Sequence, residues 1–177
     1  MSTFRYPPFH SYPPSFTLQP VKTTKEKQLK LWCDLVLSYC KHYKIFKLSL
    51  TDSANSPLFV NTSIDRRLSI SAIEEVFSRL VSMGYGEWLN KQANICLIYW
   101  RRPNEWAQII YDWVERTGRR KSILTLYEIR FSEDTAEFEF HEMDPELLLK
   151  SLQVLESQGK CVIFEGKVSD DLGVKFL

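Results

Sequence analysis

Displaced by 75 positions, the 177-residue sequence falls on itself. Ile73 meets Leu148, Phe77 meets Leu152, Leu80 meets Leu155, Gly84 meets Gly159, and Leu35 meets Ile110. Two unrelated amphipathic helices seldom share both an apolar stripe and the glycine that ends it. A chain patterned in this way is expected to build the same small unit twice, and the periodicities within each copy say what that unit contains.

In the first copy, Leu29, Trp32, Cys33, Val36, Tyr39, Cys40 and Tyr43 recur at helical spacing over residues 23–43 and gather on one stripe. Thr23 and Glu26 have the spacing of a capping box at its start. KIFKLSL is strand-like, and NSPLFVNT reads as a short second helix. LSISAIEEVFSRLVSMG gives a third helix, with Ser71 and Glu74 as a box and Ile73, Val76, Phe77, Leu80 and Val81 buried. Gly84 is suited to the left-handed residue that closes it. GEWLNKQANICLIYW then reads as two strands joined by the polar turn NKQAN.

The second copy repeats the order. Trp106, Ile109, Ile110, Trp113 and Val114 mark a helix opened near Pro103. ILTL is strand-like, and Thr125 with Glu128 caps a short helix. Asp144 and Pro145 open a helix lined by Leu148, Leu152 and Leu155 and closed by Gly159. CVIFEG and GVKFL follow as strands around KVSDDL. Three helices and a β-hairpin are the order of a winged helix-turn-helix. The predicted fold is therefore α+β, mainly helical: two tandem winged-helix domains preceded by an extended Pro-rich arm. The expected boundaries are 1–20 for the arm, 21–101 for the first domain and 102–177 for the second, with the seam at WRRPNEW. A single five- or six-helix bundle is the alternative that the same periodicities leave open.

Charge and composition narrow the function. Apolar content is 44% and charged content 25%, as in folded globular proteins, and 23 basic against 22 acidic residues give a net charge of +1. Winged helices commonly lay their third helix in a DNA groove. Here SAIEEVFSRLVSM carries two glutamates against one arginine, and DPELLLKSLQVLESQ three acids against one lysine. Such helices are repelled by phosphate, so nucleic acid is not an expected partner. The basic cluster Arg116, Arg119, Arg120 and Lys121 reads as a solvated loop. A winged-helix DNA-binding transcription regulator stands as the rival reading.

No run approaches the roughly 18 apolar residues of a membrane span, and no aliphatic leader is present, so a cytoplasmic chain is expected. Cys33, Cys40, Cys96 and Cys161 lie in apolar runs and read as small buried hydrophobes. His10, His42 and His141 stand beside no nucleophile or paired carboxylate. The reading is a non-enzyme, with no catalytic residue, cofactor or metal ligand assigned.

The arm, MSTFRYPPFHSYPPSFTLQP, holds two Pro-Pro pairs and has no charge between Arg5 and Lys22. Each pair presets φ near the polyproline value, which lowers the entropy lost on docking. Tyr12, Phe16 and Leu18 are candidate anchors beside Pro13 and Pro14 for a groove on another protein. Folding back onto the chain's own first domain is the other use for such a segment. A second candidate surface is EDTAEFEFHEMDPE, with seven acids and no Lys or Arg. Its Glu137, Phe138, Glu139, Phe140 and Glu142 could receive a basic helix, or could be a self-repelling loop pinned to the core by its phenylalanines.

SYPPSFTLQP, LWCDLVLSYC, NSPLFVN, IYWRRPNEWAQIIYDWV, LTLYEI and GVKFL, in this order, resemble the vacuolar protein sorting-associated protein 25 family, the smallest subunits of the ESCRT-II endosomal sorting complex. The resemblance implies a Pro-Pro-x-aromatic arm that inserts into the two larger ESCRT-II subunits, matched here by Pro13, Pro14 and Phe16 with Tyr12 and Leu18 beside them. It implies two copies of this chain per complex. It also implies a second winged helix that engages the first ESCRT-III subunit during multivesicular-body sorting of ubiquitinated membrane cargo. FRYPPFH departs from the Trp-rich lead of the family and leaves two Pro-Pro pairs as candidates for docking. Recruitment to endosomal membranes is expected to be peripheral and indirect, through partners.

Overall fold

A computed structural model describes residues 3–89, 92, 94–164 and 171–177. The chain divides into two units, Met1–Trp100 and Arg101–Leu177. In the first, α1 (Lys22–Tyr43) is followed by β1 (Lys47–Ser49), α2 (Leu50–Ser53), the short strands β2 (Val60–Asn61) and β3 (Arg66–Arg67), α3 (Ile70–Ser82), β4 (Gly86–Trp88) and β5 (Ile95–Ile98). In the second, α4 (Pro103–Arg116) is followed by β6 (Ile123–Thr125), α5 (Leu126–Phe131), α6 (Pro145–Ser157), β7 (Cys161–Phe164) and β8 (Gly173–Phe176). Each unit has a three-stranded antiparallel sheet of matching order, β1-β5-β4 and β6-β8-β7. Both are winged helices: three helices, a hairpin, and a strand between the first two helices that pairs with the hairpin.

The repeat survives in three dimensions because the same contacts recur. The ends of α3 and α6 are offset by the same 75 residues, as are the starts of β4 and β7. Ile73, Phe77 and Leu80 of α3 are fully buried, as are Leu148 and Leu152 of α6, with Leu155 nearly so. Gly84 and Gly159 take φ of 80° and 73°, the left-handed region that a side chain would oppose. Trp32, Val36, Leu58 and Phe59 fill the first core; Trp106, Ile110, Val174 and Phe176 fill the second.

The helix starts refine the expected caps. Thr125 Oγ1 accepts from the Glu128 N–H, and Asp144 Oδ2 accepts from the N–H groups of Glu146 and Leu147, with Pro145 in the first turn. The Ser71 and Glu74 box does not form. Ser69 is the N-cap and accepts from the Ala72 N–H, since α3 begins earlier, where Leu68 enters the core. Nor does the Thr23 and Glu26 box form. α1 begins directly after Val21, which makes no side-chain cap, and Glu26 lies 3.7 Å from Arg79 instead.

NSPLFVNT is not a helix. The short second helix is α2, begun by the last residue of KIFKLSL, where Ser49 accepts from the Asp52 N–H and Leu50 is buried. Pro57 lacks an amide hydrogen, and Asn61 turns its side chain to the Ser63 N–H, so the segment runs through turns into β2. Along α1, Tyr39 is half-buried and Tyr43 is 47% exposed, because the helix outruns the core at its end. The predicted turns NKQAN and KVSDDL, and the end of CVIFEG, lie largely outside the described residues. All four cysteines are buried free thiols, and burial pushes Cys33 up to about 12.

Asp144→Ala removes an acceptor from two α6 amides. It is expected to lower the stability of the second unit by about 1 kcal/mol, measured by urea unfolding, with Asp144→Asn retaining most of it.

Candidate functional site

The arm is extended only in part. Pro7, Tyr12 and Thr17 are extended, and between them Pro8–Ser11 and Pro13–Phe16 form two single 3-10 turns. A proline φ near −65° suits a 3-10 turn as well as polyproline II, and a proline in the first position gives up no needed hydrogen bond. The turns form because the arm has a surface to turn against: α1 and the β2 region of its own unit.

Trp32 of α1 is the centre of that surface. It is fully buried, and its indole N–H donates to the Ser15 carbonyl at 3.1 Å. Phe9, His10 and Phe16 stand edge-on to it at centroid distances of 5.0, 6.0 and 5.3 Å, and Phe59 closes the other side at 5.7 Å. Edge-on aromatic pairs at this spacing are favourable beyond the area they bury. His10 is 4% exposed, stacks on Tyr6 at 4.3 Å and holds the Leu58 carbonyl through Nε2 at 3.0 Å. Asn61 Nδ2 donates to the His10 carbonyl at 2.7 Å. Gln28 fastens the far end, accepting from the Gln19 N–H and donating to the Thr17 carbonyl. Burial holds the His10 imidazole below its ordinary value, partly opposed by the carbonyls of Leu58 and Pro57.

The candidate docking residues therefore divide between two sides. Phe16, 4% exposed, points inward, and Leu18 packs partly against the core. Tyr12 is 61% exposed, Pro14 is exposed and Pro13 half-exposed, so these three form an outward ridge. His10, Ser15 and Asn61 were not legible as parts of this site, because their partners lie 17 to 51 residues away along the chain. Trp32 was legible only as a core residue.

The acidic stretch also divides. Phe140 is fully buried against Trp113, at 5.6 Å, and Phe138 is half-buried beside it. Phe140 is thus a core residue and offers no docking surface. The alternation that suggested a display of phenylalanines instead seats one of them under the loop. Glu139 makes a two-pronged pair with Arg101, at 2.6 and 3.1 Å. Asp134 pairs with Arg119 and accepts from the Ser132 hydroxyl, and Asp144 caps α6. Glu137 and Glu142 remain exposed.

Charges elsewhere are similarly engaged. On α3, Glu75 pairs with Lys25 at 2.7 Å and Arg79 faces Glu26. Within the basic cluster, Arg119 lies over the Trp113 ring and Arg120 Nε donates to the Leu177 carbonyl, so that loop is partly structural. Among the described residues, no group of three or more His, Cys, Asp or Glu is placed to hold a metal ion, and no helix is long and apolar enough to cross a membrane.

Residues 9–144, which take in most of the arm and α1 through β5 of the first unit, match the family model described as ESCRT-II complex subunit. Over 174 residues the chain is 46% identical to vacuolar protein-sorting-associated protein 25 of Danio rerio, covering 98% of this chain and 99% of that one. It is 44% identical to the protein of the same name from Homo sapiens, covering 98% of each. Among solved structures, subunit VPS25 of the endosomal trafficking complex ESCRT-II superposes with a TM-score of 0.85 at 29% identity, covering 96% of this chain and 97% of that chain. A chain of the endosomal complex ESCRT-II (VPS22/VPS25/VPS36) superposes with a TM-score of 0.83 at 29% identity, covering 97% and 98%.

The seat of His10 makes arm docking depend on pH. The seated arm lowers the imidazole below its ordinary value, so the released state binds more protons as pH falls through the histidine range. Docking is expected to be strongest above the ordinary histidine range and to weaken progressively as pH falls through it. A titration of the His10 ring protons together with the arm resonances checks this, and His10→Gln, which keeps a donor for the Leu58 carbonyl, should flatten the profile.

Proposed function

Because the chain belongs to the family of ESCRT-II complex subunits, we propose that it works as a non-enzymatic adaptor, joined to the two larger subunits of that complex through its arm and first winged helix. The observation that carries this reading is the two-sidedness of the arm. Phe16 and His10 fasten it to Trp32, and what remains outside is a rigid ridge of Tyr12, Pro13 and Pro14. A segment already ordered on its own unit loses little further entropy when a partner groove closes over it. Tyrosine and proline on such a ridge are the side chains that fill apolar grooves well. The second pair, Pro13 and Pro14, is the one that joins Tyr12 on the ridge and is the docking pair. Two copies of the chain assemble with one copy of each larger subunit.

The second winged helix is the recruiting end. It engages the first ESCRT-III subunit and so starts polymer assembly on endosomal membranes during multivesicular-body sorting of ubiquitinated cargo, to which the complex is recruited peripherally. Exposed Glu137 and Glu142, with half-buried Phe138 between acidic neighbours, support an acidic landing surface for a basic helix. Glu139 is held by Arg101 and contributes mainly by ordering the loop.

Three outcomes test these roles. Tyr12→Ala is expected to weaken association with the larger subunits by about tenfold or more, on the scale of an interface aromatic, with the thermal melt of the isolated chain unchanged. Phe16→Ala is expected to weaken association and also destabilise the first unit, read by co-purification and calorimetry. Glu137→Lys with Glu142→Lys is expected to weaken binding of the amino-terminal ESCRT-III helix and leave ESCRT-II assembly intact. Unchanged affinity in a salt series would rule out the acidic surface.

A further inference from the structure

The second Pro-Pro pair takes away a hydrogen-bond donor that the arm would otherwise use. The first 3-10 turn runs over Pro8–Ser11, and the Tyr12 N–H donates to the Phe9 carbonyl at 3.0 Å. One more step would bring an N–H from position 13 to the His10 carbonyl, but Pro13 has none. Proline also pushes the residue before it out of the helical region, and Tyr12 is extended, with φ −101° and ψ 108°. The turn therefore ends at the docking tyrosine and leaves the His10 carbonyl without a donor from within the turn.

Asn61 supplies that donor from another part of the unit. Its Nδ2 donates to the His10 carbonyl at 2.7 Å, while its Oδ1 accepts the Ser63 N–H at 3.1 Å. With the oxygen engaged by its own turn, the amide has one orientation, and the nitrogen faces the arm. The backbone beneath it is fixed as well. Asn61 stands opposite Arg66 in the β2-β3 pair, and the Leu68 N–H closes the base of that hairpin on the Phe59 carbonyl at 2.9 Å. One segment thus grips His10 at two atoms, the ring through the Leu58 carbonyl and the backbone through Asn61. Tyr12 follows two residues later.

The repeat marks Asn61 as an addition for the arm. Trp32, Gln28 and Asn61 donate side-chain N–H groups to arm carbonyls. At the 75-residue offset they meet Ala107, Pro103 and Ala136, and none of these has a side-chain donor. Trp32 also fills the first core, whereas the Asn61 side chain is half-buried at its edge.

We propose that Asn61 is the positioning residue of the docking ridge: it replaces the donor that Pro13 lacks and so fixes the direction in which Tyr12 leaves the first unit. The inference deepens the docking role proposed for Tyr12, Pro13 and Pro14 and rests on it. Without this bond the joint between the two 3-10 turns is released. A partner groove then captures only the fraction of arms that point the right way, and the apparent affinity falls by that fraction. Asn61 acts through Tyr12 and has no need to touch the partner.

The test measures binding of full-length variants to the two larger ESCRT-II subunits by interferometry at about pH 8, above the histidine range. Asn61→Asp keeps the shape and the acceptor for the Ser63 N–H but sets an oxygen against the His10 carbonyl. Asn61→Ala removes the donor and adds no charge. Each is expected to weaken association about tenfold and to speed amide exchange at Tyr12 and Ser15, while Leu68 stays as protected as in the parent. In a Tyr12→Ala background the same changes are expected to weaken association by less than about twofold more, because nothing is left to position. Parental affinity in both Asn61 variants, beside a weakened Tyr12→Ala, would overturn the inference and leave the ridge standing. Full additivity with Tyr12→Ala, or loss of Leu68 protection together with that of Tyr12, would also overturn it, by making Asn61 an ordinary support of the hairpin. Parental binding by Tyr12→Ala would remove the ridge itself, and this inference with it.

Discussion

Trp32 is fully buried in α1, and its indole N–H is satisfied by a carbonyl of the arm rather than by the domain it belongs to. An indole N–H left unpaired in such a place costs on the order of 1–3 kcal/mol. The arm therefore completes the first core: without Ser15, Phe9, His10 and Phe16, one side of the largest side chain in that core would face water. Conversely, the arm has no core of its own and takes its shape from Trp32. This mutual dependence explains how a proline-rich segment too short to fold alone can be both ordered and outward-facing. The inward side chains satisfy the domain, and Tyr12 and Pro14 are left for something else.

The repeat shows what the first unit added. At the same 75-residue offset, the position of Trp32 is occupied by Ala107, which is buried in α4 without needing a polar partner. The second unit thus has no indole in that place. Its own differences lie in the outer sheet face, which carries exposed apolar side chains, and in the acidic loop, which is tied down by Phe140 and Arg101. Two copies of one fold differ by a few side chains each: the first by the residues that seat an accessory segment, the second by its acidic loop and sheet face.

Much of this was legible in the sequence because it is local or periodic. The stripes of α3, α4 and α6, the caps at Thr125 and Asp144, and the closing glycines each follow from residues within a turn or two of one another. The repeat lifted these local signals to a fold. What was not legible depends on pairing across distance. The N-cap passed from Ser71 to Ser69 because Leu68 is drawn into the core, and the helix expected at NSPLFVNT gave way to a strand that meets Arg66 and Arg67. The arm showed its apolar composition but not its direction, since a proline φ fits both an extended strand and a 3-10 turn. Phe138 and Phe140 look alike in sequence, and only the position of Trp113 decides which one is buried.

The central claim is that the leading segment is a built part of the first winged helix before any partner arrives. Amide hydrogen exchange on the isolated chain, read at Ser15, Thr17 and Gln19, tests it most directly, because the N–H groups of these residues donate to the Tyr12 carbonyl, the Pro14 carbonyl and the Gln28 side chain. Protection well above that of an unstructured peptide, lost together at all three sites in Trp32→Ala, is the predicted result. Exchange at the unstructured rate in the unmodified chain would contradict it.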